Sequence, residues 1–277
     1  MEPSPAEKPP SGFDERLLGA ANLTGIFRGG WNLYRRNFLG LFTLFAPGMA
    51  LVFVAGSLWV LVASSVEVAV LFVAGGLLWF LLVPSMIGSA LNLSAHVFMT
   101  DRLIGKETSA GRALAALRTD VPSLLQCLLL ASTGAMFFGL LRPLSLIFFV
   151  WWGPPLLGTT VVLENQPFPA AWAATRGRGR GRLTRAILML LLAAFGLSIL
   201  GLTLAFPILA AIGTVAQTLF IILIFALLSA VVLPFMAAIE LRLYFDIRAR
   251  ADERFALNTL REERSRVALR PKASNPD

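Results

Sequence analysis

The chain is organised by where charge is missing. Between Arg36 and Glu67 lie 30 residues without Asp, Glu, Lys or Arg, and between Glu67 and Asp101 there are 33. Two runs of 21 follow, 121–141 and 143–163, parted only by Arg142, and a last run, 186–239, is 54 residues long. A helix crosses the hydrocarbon core of a bilayer in about 20 residues, so each of the shorter runs supplies one span. At about 1.5 Å per residue the last run is far too long for a single crossing and must turn once. The stretch from Pro207 to Gln217, where proline, glycine and a polar side chain interrupt the apolar sequence, is the predicted turn.

The predicted fold is therefore all-α, a polytopic transmembrane helix bundle of six spans arranged as three hairpins. Its spans run over 38–63, 66–84, 121–141, 144–163, 186–206 and 216–239. Pro47, Pro84, Pro154, Pro155 and Pro234 are expected to kink or end helices, which a lipid-embedded bundle tolerates when neighbours satisfy the freed carbonyls. A soluble bundle would need a polar face on its surface helices, and a stretch such as 44–62 has none. A membrane β-barrel would need alternation over short strands, whereas these runs are continuously apolar.

Charge then fixes orientation. Of 24 lysines and arginines, five precede the first span, four lie between spans two and three, one is Arg142, five lie between spans four and five, and nine follow span six. Thus 23 of 24 fall on one side, and basic residues near span ends are retained in the cytoplasm. Both termini are expected in the cytoplasm of a multi-pass plasma membrane protein, in a bacterium its inner membrane. Residues 1–21, polar and proline-rich, read as a disordered tail without the apolar core of a signal peptide. Residues 22–246 form the membrane domain, and 247–277 a charged cytoplasmic helical extension and tail.

Each hairpin is entered through a short amphipathic segment written on one template. The three read Phe27, Gly30, Trp31, Tyr34, Arg35; then Ala110, Ala113, Leu114, Leu117, Arg118; then Phe168, Ala171, Trp172, Thr175, Arg176. Offsets of three, four and seven place four residues on one helical face, with an arginine at its flank. A short helix lying in the cytoplasmic interface fits this pattern, with Asn22, Thr108 and Ser109 as N-caps. Either triplication of a helix-plus-hairpin unit or independent placement of arginine anchors and interfacial aromatics would produce it.

The stretches from Trp31 to Pro47 and from Val161 to Arg180, together with the ending Leu241 to Arg250, resemble a family of bacterial membrane proteins. These carry the glycerophosphoryl diester phosphodiesterase membrane domain. The resemblance covers residues 22 to about 255. It implies an acid closing a span, at Glu164, and a last span that runs past Glu240 into Tyr244, Asp246, Arg248 and Arg250. The phosphodiesterase chemistry of such proteins belongs to a separate α/β-barrel with histidines and metal-binding carboxylates, for which this chain has no residues. The Glu-Gly usual after the final arginine is replaced here by Asp252 and Glu253.

Candidate chemistry changes this picture little. Cys127 is the sole cysteine and His96 the sole histidine, so no disulfide, redox pair or zinc site is expected, and no nucleophile or phosphate-loop motif occurs. No catalytic residue, metal or cofactor is predicted. His96 reads either as a proton or metal site shared with Asp101 or, more economically, as an interhelical hydrogen bond. The expected activity is engagement of the bilayer. Arg35, Arg36, Arg118, Arg176, Arg178, Arg180 and Arg182 would meet anionic phospholipid headgroups, with Trp31, Tyr34 and Trp172 as interfacial aromatics. A membrane or cytoplasmic protein partner could share that basic face. Nucleic acid is not expected, since the arginine-glycine strip from Arg176 to Arg185 lacks stacking aromatics. The alternative, a small-solute transporter or its accessory subunit, would use in-span polar residues such as Asn92, Gln126 and Gln217.

Overall fold

The computed structural model describes residues 17–65, 69–117, 121–129, 154–164, 166–175, 214–251 and 262. Among these residues every regular element is a helix and none is a strand. The helices are α1 (Leu23–Ser65), α2 (Ala69–Leu103), α3 (Ala110–Ala116), α4 (Pro154–Glu164), α5 (Phe168–Thr175) and α6 (Thr214–Ala251). Residues 121–129 are also helical.

Local chemistry sets the helix ends. Asn22 caps α1, its side-chain oxygen accepting from Gly25 N at 2.8 Å, and Ser109 caps α3 by accepting from Arg112 N at 3.3 Å. Thr108, the third expected cap, gives way to its neighbour Ser109. At the end of α2, Gly105 takes a φ of 83°. That left-handed residue lets Lys106 N reach Asp101 O at 2.8 Å and Gly105 N reach Arg102 O at 3.2 Å, a Schellman closure. Pro154 and Pro155 start α4, where a missing N–H costs nothing. Pro47 and Pro234, by contrast, do not end their helices: α1 and α6 continue through them.

One expectation needs correcting. The first amphipathic segment is not a separate interfacial helix, because α1 runs unbroken for 43 residues through it and span one. At about 1.5 Å per residue it is about 65 Å long, twice the hydrocarbon thickness. Arg35, Arg36 and Asn37 interrupt the apolar pattern but carry no helix-breaking chemistry. The second and third segments are separate short helices, α3 and α5.

Packing centres on α1 against α6, which run antiparallel. A Cβ on Gly30 would meet Ile239, one on Gly29 would meet Arg242, and the rings of Trp31 and Tyr34 lie 5.7 Å and 5.6 Å from Phe235. α2 packs along α1, with Gly48 against Leu91 and Gly40 against the Phe98 ring. The principal core joins Leu33, Leu41 and Phe45 of α1 to Phe98 and Met99 of α2 and to Ile239, Leu241 and Phe245 of α6. A second cluster gathers Cys127, Leu157, Val161 and Ala171 beside Phe168 and Trp172.

Among the described residues, two helical stretches, Leu23–Leu61 and Val215–Arg250, are long and apolar enough to cross a membrane. Span 186–206 lies outside the described residues, as do most of 121–141 and the first half of 144–163.

Candidate functional site

The C-terminal end of α6 is unusual for a charged helix end. From Leu241 to Ile247 every residue is buried, including Arg242 at 2% and Asp246 at 0% exposure, so polar groups there must find partners inside the protein. Three sets of partners surround it.

The first set joins α2, α4 and α6. His96 is fully buried, with Nε2 3.0 Å from the Ala237 carbonyl and Nδ1 2.9 Å from Thr159 Oγ1. A carbonyl can only accept, so the neutral ring carries its hydrogen on Nε2, and Thr159 donates to Nδ1. Glu240 Oε2 lies 3.8 Å from His96 Nε2 and accepts from Asn92 Nδ2 at 2.6 Å. Of the two readings of the sole histidine, this geometry is an interhelical hydrogen bond that ties three helices. Asp101, once its possible partner, has instead its backbone carbonyl in the turn that closes α2.

The second set ties α4 to α6. Glu164 is the last residue of α4, where the helix dipole disfavours an acid by a few tenths to about 1 kcal/mol. The opposing charge comes from Arg248, in direct ion-pair contact with Glu164 Oε1, both side chains being buried to within 11% and 7% exposure. The Tyr244 hydroxyl donates to the same oxygen at 2.7 Å and accepts from Arg248 at 3.3 Å, while Gln166 donates to the other carboxylate oxygen at 3.1 Å.

The third set fastens residues 17–21 to α6. Leu17 and Leu18 are buried, and residues 19–21 are read through their backbone. Asp246 accepts from Ala21 N at 2.6 Å, Arg250 donates to Ala21 O at 3.0 Å, and Arg242 donates to Gly19 O at 2.8 Å. Arg250 also pairs with Asp246 at 3.2 Å. Residues 17–21, expected as the end of a disordered tail, thus form a strap across α6. A hydrogen bond from a backbone N–H to a charged acceptor contributes roughly 1.5–3 kcal/mol. Asp246→Ala should therefore speed proteolytic cleavage within residues 17–22 by about tenfold or more. Limited proteolysis with terminal sequencing measures this, and unchanged cleavage would count against the strap.

Of the residues expected to meet lipid, Arg35 and Arg36 are exposed on α1, Trp31 is 50% exposed, and Trp172 is half-buried and stacked on Phe168. Tyr34 is buried between Trp31, Phe38 and Phe235, so its ring serves helix packing more than a surface. Arg118, Arg176, Arg178, Arg180 and Arg182 lie outside the described residues. Glu164, Tyr244 and Arg248 converge, as do Asp246 and Arg250, and Glu240 joins His96. Sequence reasoning missed Arg242 and Thr159. Arg242 was detectable, since 242, 246 and 250 share one helical face; Thr159, an inconspicuous residue in an apolar run, was not.

Such an arrangement can hold helices in register and pin residues 17–21 to α6. Among the described residues, no three His, Cys, Asp or Glu side chains converge as a metal site would require. Comparison with family models, with curated proteins and with solved structures finds no match to this chain.

Proposed function

We propose that this chain is a non-enzymatic, six-span protein of the cytoplasmic membrane, with both termini in the cytoplasm. Its basic cytoplasmic face binds anionic phospholipid and, beside it, a membrane or cytoplasmic protein partner. The observation that carries this reading is the exposure of two long apolar helical stretches. Only 22% of the apolar window in α1 and 24% of that in α6 is buried, whereas the core helix of a soluble protein would be mostly covered. Leu39, Leu51, Leu58 and Leu227 are each more than half exposed, a surface suited to acyl chains.

The strap supports the even span count. Ala21 and Asp246 are 225 residues apart and hydrogen-bonded, as expected of a chain that crosses the membrane an even number of times between them. The resemblance to the six-helix phosphodiesterase membrane-domain family belongs to the same proposal. One observation favours the transporter or accessory-subunit reading instead: Asn92, His96, Thr159 and Glu240 bring polar groups of three helices together inside the bundle.

Two measurements on the native protein test the proposal. In a Cys127→Ala background, Glu67→Cys should react with an impermeant maleimide from outside, and Ser274→Cys only after permeabilisation. Mass spectrometry of the purified protein should find retained acidic phospholipid, reduced when Arg176, Arg178, Arg180 and Arg182 become Gln. Equal acidic lipid in both proteins would overturn the lipid reading, and a tightly retained polar solute would favour transport.

A further inference from the structure

Because α1 is continuous, residues assigned by sequence to two elements fall on one face. Positions 28, 31, 35, 39, 42, 46, 50, 54, 58 and 61 recur every three or four residues and form a single stripe. Arg28, Arg35 and Ala50 are exposed, Trp31 is 50%, Leu39 77%, Phe42 41%, Val54 50%, Leu58 58% and Leu61 49% exposed, with only Ala46 half-covered. The order along the stripe is guanidinium, indole, guanidinium, then side chains with no charge for the rest of the helix.

The indole is held in place rather than loose. Trp31 packs at 5.6 Å from Tyr34 and edge-on at 5.7 Å from Phe235, so its amphipathic ring is fixed between the two arginines. Arg28 and Arg35 are seven residues apart, about 10 Å along the axis. Arg36 adds charge at the flank. Below them, Phe38 and Phe42 stack at 6.0 Å and continue the apolar surface.

We propose that this face of α1 is a binding site for an individual anionic phospholipid. Its phosphate is held between Arg28 and Arg35 beside Trp31, its glycerol backbone lies between Arg35 and Leu39, and an acyl chain runs along Leu39, Phe42 and Val54. The occupant follows from the change of chemistry along one line. Paired cations alone would fit any phosphate, and an apolar face alone any hydrophobe, but the two joined end to end within one helical face match a charged headgroup with its tail. The site also sets the cytoplasmic boundary of the membrane on α1 between Arg35 and Leu39. This inference rests on the proposed membrane function and names the ligand and residues at one part of its basic face.

The test uses the full-length protein in detergent, titrated separately with phosphatidylglycerol and phosphatidylcholine and read by native mass spectrometry. The wild type is expected to hold one phosphatidylglycerol in preference to phosphatidylcholine. Arg28→Gln with Arg35→Gln should weaken phosphatidylglycerol binding by about thirtyfold, leaving phosphatidylcholine unchanged. Arg28→Lys with Arg35→Lys should recover most of it, because the charge remains. Both positions are exposed, and an unaltered elution volume verifies folding of each variant. If the glutamine pair binds phosphatidylglycerol like the wild type while the variant of Arg176, Arg178, Arg180 and Arg182 loses it, this site is overturned and the broader reading stands. If the wild type itself shows no preference for phosphatidylglycerol, both fall.

Discussion

Glu164→Ala is expected to lower the stability of the folded chain by about 3–5 kcal/mol, the cost of stranding one member of a buried ion pair. The carboxylate meets both Arg248 and the Tyr244 hydroxyl, and the two side chains of the pair are 11% and 7% exposed. Water therefore cannot replace it cheaply. Glu164→Gln should cost less, since an amide oxygen still accepts from Tyr244. Tyr244→Phe should cost about 1 kcal/mol, the net worth of one hydrogen bond when the ion pair survives. Adding Arg248→Ala to Glu164→Ala should restore part of the loss, because the penalty lies in the unpaired charge more than in the missing attraction. Unfolding in mixed detergent micelles, followed by circular dichroism, gives the ranking. A Glu164→Ala protein within about 0.5 kcal/mol of the wild type, as for an ordinary surface substitution, would mean that the pair does not hold α4 to α6.

That network explains which features could be read from the chain and which could not. Tyr244, Asp246, Arg248 and Arg250 are legible through the resemblance of the ending Leu241 to Arg250. Glu164 is marked by the same resemblance, but its pairing with Tyr244, 80 residues away, and that of Asp246 with Ala21, 225 away, is encoded by no local periodicity. The backbone of Gly19 and Ala21 bears no side-chain signature at all, so a strap made of main-chain hydrogen bonds reads as tail. The all-helical class was legible because apolar runs leave no alternation for strands. The continuity of α1 was not, because Arg35 and Arg36 signal the end of the hydrocarbon region, and a helix can pass through that boundary unbroken. His96 was legible as a residue and ambiguous as chemistry until Thr159 and Ala237 supplied its two hydrogen-bond partners.

The contact between α1 and α6 yields the second large effect, and its sign runs against helix propensity. Alanine favours a helix over glycine by about 1 kcal/mol, so Gly→Ala at an open helical position should stabilise. Gly111, in α3, is such a position, with nothing within 4 Å of an added Cβ. At Gly30 the added carbon would stand 2.7 Å from Ile239 Cγ1 and 2.9 Å from Ile239 Cα. The second of these is backbone, so α6 itself must move away, and with it Phe235 and Arg242 on either side. Small residues at such crossings let helices approach closely where lipid offers no hydrophobic drive for association. Overpacking of this kind costs typically 1–3 kcal/mol and exceeds the propensity gain. Gly30→Ala should thus destabilise by about 2 kcal/mol net and loosen the strap, raising cleavage within residues 17–22, whereas Gly111→Ala should gain up to about 1 kcal/mol and leave cleavage unchanged. Gly29→Ala should fall between them, since its added carbon meets the movable side chain of Arg242 at 2.9–3.2 Å and displaces that arginine from the Gly19 carbonyl. Equal stabilisation by Gly30→Ala and Gly111→Ala would rule out the close crossing of α1 and α6 beside the strap.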